Sequence, residues 1–587
     1  MNLNQIINQK VQSAFEKAGY PNAQLLVRLS DRPDISDYQS NGALPLAKQL
    51  KTNPRVVAES IVSHLKEDAF FEKVTVDGPG FINMTISNNA LSEIAYDILS
   101  QEKSGYERLT PPKKVVLDYG GPNVAKALHV GHLRPAIIGE SLKRLHAFAG
   151  DEVIGDVHLG DWGLPMGLLM AELSERHPDL VYFDPTYEGE YPSETPFTGK
   201  DLEVMYPIAS KKSKENPEYL LKAKDFTRRL QNKEKGLLAL LNGFVCLSVS
   251  DIKKMYDELG VSFELWRGEK DVHDRLLKMV ERLRLNAVMY KDNGAEIIDA
   301  GVSKSGNELP PMIMINSEGA VMYAATDLAT IEERVEEFNA DEILYVVDSR
   351  QSLHFEQVFN VAEKIGLLKK TTVKHLGFGT INGKDNKPFK TRDGGVMTLR
   401  MLIDMATNAA LDKMNSGEMG RDLTDAEKDE ISRIVGVSAL KFADLMNERM
   451  KNYIFDEDKL TSTEGKTGPY LLYAMVRMKS LLEKSGETIE LKKEDIPVIT
   501  MPAERSLLLR LYAMPDSVQT AYDNNAPHVI CDYLFKLAQD FNLFYHDCPI
   551  KDASEAEKKS RLALTKYALS VALKMAYVLG LKVPDKM

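Results

Sequence analysis

The spacing of apolar positions changes along this chain, and each change predicts a different kind of structure. Leu3, Ile6, Ile7, Val11, Ala14 and Phe15 recur at helical spacing. Gln24–Leu29 alternates like a strand, Asn53 with Pro54 starts a helix whose apolar positions run from Val56 to Leu65, and Val74–Val76 and Phe81–Ile86 flank the turn Asp77-Gly78-Pro79-Gly80 as a hairpin. This predicts a small α/β module ending near residue 108. From Val115 the pattern reads strand (Val115–Leu117), polar elbow (Asp118–Asn123), then a helix from about His129 with Leu133, Ile137, Ile138, Leu142 and Leu145 on one face. A second strand, Glu152–His158, precedes a helix from Leu164 to about Arg176. Strand, helix, strand, helix predicts a doubly wound, Rossmann-like parallel sheet whose ligands sit at the carboxyl ends of the strands, where Asp118–Lys126 and Gly160–Gly163 converge.

The sheet pattern stops between Pro178 and Gly199, a loop-rich stretch, and Tyr219–Leu241 reads as a charged helix. It resumes with Phe263–Trp266, a helix over Val272–Leu283, paired strands at Ala287–Lys291 and Glu296–Asp299, a helix from Asp327 to Phe338 and a buried strand at Glu342–Val347. Beyond Leu399 β signals nearly vanish. Helical spacing over 399–414, 425–450, 468–484, 503–524, 527–545 and 555–579 predicts an all-α bundle. The expected domains are 1–108, 109–395 with an insertion at about 178–260, a helical connection at 396–466, and a helical domain at 467–587.

Composition narrows the class. At 587 residues the chain holds several cores, and its 43% hydrophobic and 27% charged content is that of a globular protein. No stretch of about 18 apolar residues offers a membrane span, and the start lacks a signal pattern. Cys246, Cys531 and Cys548 are scattered, which predicts a reducing, cytoplasmic setting with neither disulfides nor a zinc site. The net charge of −12 argues against a nonspecific nucleic-acid coat but leaves room for a local basic surface. Lys222, Lys224, Arg228, Arg229, Lys233 and Lys235 on the charged helix suit either phosphate contacts or a face laced with ion pairs.

The chemistry concentrates after the first strand. His129-Val130-Gly131-His132 puts two imidazoles on one side of a helical entrance, each with a ring N–H for an oxygen anion. Gly131 lets a flat ring approach the backbone, and Lys126 adds a point charge suited to phosphate. The inferred ligand is a nucleoside triphosphate attacked at its α-phosphate. These residues resemble the HIGH signature of class I aminoacyl-tRNA synthetases. The longer string Pro122-Asn123-Val124-Ala125-Lys126-Ala127-Leu128-His129-Val130-Gly131-His132 resembles the arginyl enzymes in particular.

Other strings carry the same resemblance: Asp37-Tyr38-Gln39-Ser40-Asn41, Gly78–Asn83, Val321–Leu328, Asp348–Phe355, Gly468–Arg477, Phe544–Pro549 and the ending Pro584–Met587, while His375–Thr380 reads as a strand running into a Gly-rich bend. The resemblance implies an arginine–tRNA ligase that forms arginyl-adenylate from ATP and L-arginine and passes the arginyl group to tRNA(Arg). Activation would wait for tRNA, Mg²⁺ would ride with ATP, there would be no resident metal or prosthetic group, and the enzyme would be a monomer. His129, His132, Lys126 and Lys390 would stabilise the phosphates, with Lys390 standing at the mobile-loop lysine of a KMSKS motif whose Met-Ser core is absent here. The division of labour among Lys126, Lys390 and Arg392 stays open.

The adenosine would lie against Gly131, His354, Phe378 and Gly379. Tyr323 and Asp327, four apart, would share a helical face toward the guanidinium. Asp118 would hold the α-amino group, Asn123 the carboxylate, and Gln351 would assist. Asn83, Tyr473 and Met587 would touch tRNA, although Asn83 holding a turn, Tyr473 packing in a core and Asp327 capping a helix fit the bare pattern too. A cysteinyl-type enzyme would need a metal-bound thiolate, which three dispersed cysteines do not build.

Overall fold

The computed structural model describes residues 1–587 apart from 33, 109, 193, 388–396, 418, 487–491, 494–496 and 552. The chain forms two compact units: 111–416 with 436–461, and 1–110 with 417–435 and 462–587.

The first unit is built on four parallel strands, β1 (Lys114–Tyr119), β2 (Glu152–Asp156), β3 (Glu342–Val346) and β4 (Thr372–His375), in the spatial order β2-β1-β3-β4. Every residue of β3 is buried, as is all of β1 after Lys114. Such continuous apolar runs suit strands covered on both faces. Helix α1 (Leu133–Ala149) returns the chain from β1 to β2. It lies close on β1 because Gly139 has no side chain: a Cβ there would come within 2.4 Å of the Tyr119 side chain. From β1 the chain winds outward to β2 on one side and, after the insertion, to β3 and β4 on the other. The strand order therefore reverses between β1 and β3, and a crevice for ligands opens at that point.

Helix α2 (Leu164–Arg176) is followed by three insertion helices, α3 (Gly199–Glu215), α4 (Pro217–Gln231) and α5 (Lys235–Leu259). The expected helix at Tyr219–Leu241 is thus two helices, broken at Asn232–Glu234, where Lys233 takes a φ of 60°. By composition α5 is long and apolar enough to cross a bilayer. Its Leu237, Leu240, Leu241 and Phe244 are instead buried within the unit. Of the six basic residues noted on this stretch, five are ion-paired: Lys222 with Glu175, Lys224 with Glu318, Arg228 with Asp225, Arg229 with Glu234 and Lys233 with Asp274.

Helix α6 (His273–Leu285) precedes an antiparallel sheet of Tyr290–Asp292, Ala295–Ile298 and Met312–Ile315. The hydrophobic pattern did not predict its third strand, which is only 4 residues long. Helices α7 (Tyr323–Glu336) and α8 (Ser352–Lys364) complete a core in which Leu276, Met279, Ile298, Met314, Leu328 and Ile343 pack together.

In the second unit, helices Leu3–Lys17, Ala43–Leu50 and Pro54–Leu65 accompany a four-stranded antiparallel sheet. As the sequence predicts, Asn53 caps the Pro54 helix, accepting from the Arg55 amide. The bundle comprises Gly468–Lys484, Pro502–Tyr512, Met514–Asn524, Pro527–Asp547 and Glu555–Val578. The helix expected at 503–524 is two, parted at Ala513 ahead of Pro515, whose missing N–H suits the first turn of a new helix. The N-terminal module is fastened to the bundle inside this unit. Arg505 Nη2 donates to Asp37 Oδ2 at 2.7 Å and to the Ile86 carbonyl at 2.9 Å, the Tyr512 hydroxyl donates to the Leu91 carbonyl at 2.5 Å, and Asn4 donates to Asp516 at 3.0 Å.

Candidate active site

The crevice opens at the carboxyl ends of β1, β2 and β3, and most of the residues singled out in the sequence gather there. Residues 122–124 lie along Gly160: the Val124 amide donates to the Gly160 carbonyl at 3.2 Å, and the Gly160 amide donates to the Pro122 carbonyl at 3.2 Å. The two loops converge as expected. A Cβ on Gly160 would sit 2.6 Å from Asn123 Oδ1, so the glycine makes room for that amide.

His129 and His132 lie in a single 3₁₀ turn, Val130–His132, just ahead of α1. Their rings are 4.1 Å apart. The Gly131 amide donates to His129 Nδ1 and the His129 amide donates to His132 Nδ1, both at 3.1 Å. A nitrogen that accepts from an amide carries no proton. Both rings are therefore held as Nε2–H tautomers, each with a donor left for an anion. Burial, the neighbouring imidazole and Lys126 push His132 down to about 4, and burial and Lys126 lower His129. The pair acts as neutral donors at pH 7. Gly131 admits a flat ring, but that ring is His129's own: a Cβ would meet its Cε1 at 2.8 Å. Lys126 Nζ lies over the Tyr206 ring, 4.6 Å from its centroid.

Asp118 and Asp156 are register partners on β1 and β2. Like charges side by side in a sheet repel, and fully buried Arg334 of α7 bridges them, with Nη2 2.7 Å from Asp118 and 2.6 Å from Asp156. Asp118 thus already has an internal cationic partner. Two carboxylates on one guanidinium still leave one formal negative charge at the sheet's end.

Helix α7 begins at Tyr323 behind the N-cap Met322, so Asp327 stands in its second turn and is not the cap. Tyr323 is 64% exposed. Asp327 Oδ2 is 2.5 Å from His354 Nε2 of α8. His354, expected beside the nucleotide, therefore lies against the side-chain acid. Gln351 is exposed in the Ser349–Gln351 turn where β3 ends.

Tyr323 and Thr326 line a cavity of about 620 Å³ with Trp162, Glu269, His273 and Gln231. Glu269 gave no signal in the sequence. It reaches the site because 265–268 runs parallel beside the end of β2, with bridges from Asp156 to Leu265 and from Leu159 to Gly268. Burial pushes Glu269 up to about 7, with Asp161 and Asp327 adding negative charge nearby, and burial raises Asp161 to about 6. Asp161 Oδ2 and both ring nitrogens of His158 are buried without hydrogen-bond partners among the described residues. Burial that raises an acid in a pocket marks it as a functional-site candidate, since a cation beside it would restore the charged form.

Phe378 and Gly379 follow β4. Gly379 is pressed against Asn452, whose amide nitrogen would be 2.8 Å from a Cβ. Buried Arg134 of α1 ties this segment down through the Gly379 carbonyl at 2.7 Å, the Lys451 carbonyl at 3.2 Å and Asp444 at 3.1 Å. Lys390 and Arg392 lie outside the described residues.

In the second unit, Asn83 is buried, accepting from Gln39 at 2.9 Å and donating to Asp77 at 2.6 Å. Its amide is engaged in holding the hairpin. Exposed Tyr473 stacks with Arg477, which also lies over Tyr545, at 4.7 and 5.0 Å. Lys479 on the same helix holds the tail that ends at Met587, through Pro584 and Asp585.

A parallel sheet that reverses order at a pair of neutral imidazole donors defines a catalytic domain of the class I aminoacyl-tRNA synthetases, and residues 94–457 match the family described as tRNA synthetases class I (R), catalytic domain. Residues 1–86 match the arginyl tRNA synthetase N terminal domain and 471–587 the DALR anticodon binding domain. The chain belongs to the arginyl-tRNA synthetase family. It is 45% identical over 586 residues to an arginine–tRNA ligase of Alkaliphilus oremlandii, covering 99% of each chain. It is 43% identical to one of Francisella tularensis, covering 100% of each. Its fold matches arginyl-tRNA synthetase structures from Plasmodium falciparum (TM-score 0.81, 24% identity, covering 100% of this chain and 99% of that one) and Thermus thermophilus (0.78, 23%, 100% of each).

Proposed function

We propose that this chain is an arginine–tRNA ligase that joins L-arginine to AMP with release of pyrophosphate and then esterifies the terminal ribose of tRNA(Arg). The observation that carries the substrate is the acidic wall of the crevice. Glu269 lines the cavity with Tyr323, and Asp161 and Asp327 both add negative charge at Glu269, while Lys224 and Arg228 in the same lining are each ion-paired, with Glu318 and Asp225. A guanidinium would satisfy both Asp327 and Glu269, displacing His354, while the Tyr323 hydroxyl takes a further N–H. The net negative end of the Asp118–Arg334–Asp156 cluster suits the α-amino group, with Asn123 and Gln351 at the carboxylate.

The arginine carboxylate is itself the nucleophile, so the protein supplies position and charge stabilisation. The Nε2–H groups of His129 and His132 donate to the phosphate oxygens as the five-coordinate phosphorus forms. Lys126, with Lys390 from the loop, offsets the charge of the leaving pyrophosphate. The adenosine lies toward Gly131, Phe378 and Gly379, and Mg²⁺ enters with ATP as its counter-ion. Tyr473, stacked with Arg477, and Met587 at the end of the tail suit unstacked tRNA bases, and Asn83 would join them only through a rearranged hairpin. We read the enzyme as a cytoplasmic monomer, a state that sedimentation velocity checks. The test of function is aminoacylation of bulk tRNA with arginine, lysine and citrulline. Arginine alone should be charged, and efficient charging of citrulline, which lacks the cation, overturns the acidic-pocket reading.

A further inference from the structure

The loop that carries Lys126 is pinned from the insertion side. Ala125 takes a left-handed φ of 62° and donates its amide to Ser248 Oγ on α5 at 3.0 Å. Lys126 then extends over the ring of half-buried Tyr206 on α3. Glu203 and Asp251 border the small cavity that Ala125 and Lys126 also line. Yet among the described residues no carboxylate comes within 4.0 Å of Lys126 Nζ, and an aromatic face stands there instead. The difference is chemical. A paired carboxylate would cancel the ammonium's charge, whereas a ring face orients the cation and leaves that charge available to an incoming polyanion. The ammonium is also close enough to lower both His129 and His132, so it acts on the same phosphate site as the two imidazoles.

Pro207 follows Tyr206 within α3, and its missing N–H leaves the Glu203 carbonyl without its helical donor. Tyr206 also contributes to the raised pKa of Tyr323, after burial and Glu269.

We propose that Tyr206 is a positioning residue that aims Lys126 at the triphosphate, so that the insertion helix α3 sets the efficiency of adenylate formation. This rests on the reading that Lys126 acts on ATP. The experiment is arginine-dependent pyrophosphate exchange on the full-length enzyme with tRNA present, for Tyr206→Leu, Tyr206→Phe, Lys126→Met and the double variant Tyr206→Leu/Lys126→Met, with thermal unfolding recorded for each. Tyr206→Leu should lose about tenfold in kcat/KM for ATP, with the arginine KM held, and Tyr206→Phe, which keeps the ring face, should recover most of it. The double variant should be no worse than Lys126→Met alone. If Tyr206→Leu costs as much in the Lys126→Met background as in the native one, Tyr206 acts through folding and the proposal fails. Native kinetics for Tyr206→Leu beside a crippled Lys126→Met sink the proposal alone, whereas native kinetics for Lys126→Met sink the underlying reading of Lys126 as well.

Discussion

Asp327 lies 2.5 Å from His354, and under the proposed function an arginine side chain would take that partner's place. Asp327→Asn should therefore raise the arginine KM by about 2–5 kcal/mol of lost or unpaired interaction, read from steady-state charging. Glu269 adds a pH signature. Held up at about 7, it must lose its proton to meet a cation, so the arginine KM should fall as pH rises from 6 to 8, and Glu269→Gln should flatten that profile. His132 couples pH to the fold. Its pKa drops from 6.5 unfolded to about 4 folded, so between those values only the unfolded chain binds the proton. Stability present above pH 6.5 is lost as pH falls toward 4, by about 3 kcal/mol. Denaturant midpoints across that window should slope in the native chain and less so in His132→Asn. The imidazole pair, Tyr323 and Asp327 are candidates that the sequence offers by itself, because each belongs to a local string whose spacing implies a shared face. Glu269, Asp161 and His158 are not. They become neighbours only when 265–268 joins the edge of β2, and the strand pattern at Phe263–Trp266 does not say which strand it pairs with.

At the level of elements, the precise fit of α1 against its surroundings carries the catalytic geometry. Gly139 lets α1 rest on Tyr119, and Arg134, two residues after His132, ties the helix to Gly379 and Asp444. Arg134→Met would leave Asp444 buried without its cation, which should cost about 3–5 kcal/mol in unfolding and raise the ATP KM through the loosened 378–379 segment. Most elements could be read from period alone, including Leu164–Arg176 and Gly468–Lys484 with both ends correct. The misses have physical causes. A proline at a helix start splits 503–524, and a left-handed Lys233 splits 219–241.

For the whole molecule, the notable fact is that the first 110 residues share a compact unit with the last 126 of the chain. Arg505 is central to that union, reaching both Asp37 and the Ile86 carbonyl. Arg505→Met should lower the unfolding midpoint and expose the N-terminal module to limited proteolysis, since it strands a largely buried Asp37 at a cost of about 3–5 kcal/mol. The same union governs synthesis. At about 5–20 residues per second, a ribosome takes roughly 20–70 s to travel from the end of the opening module to the helices that receive it. Throughout that interval the nascent module carries an unclaimed docking side around Asp37, Ile86 and Leu91, and chaperone demand should be concentrated there and not on the sheet that emerges next.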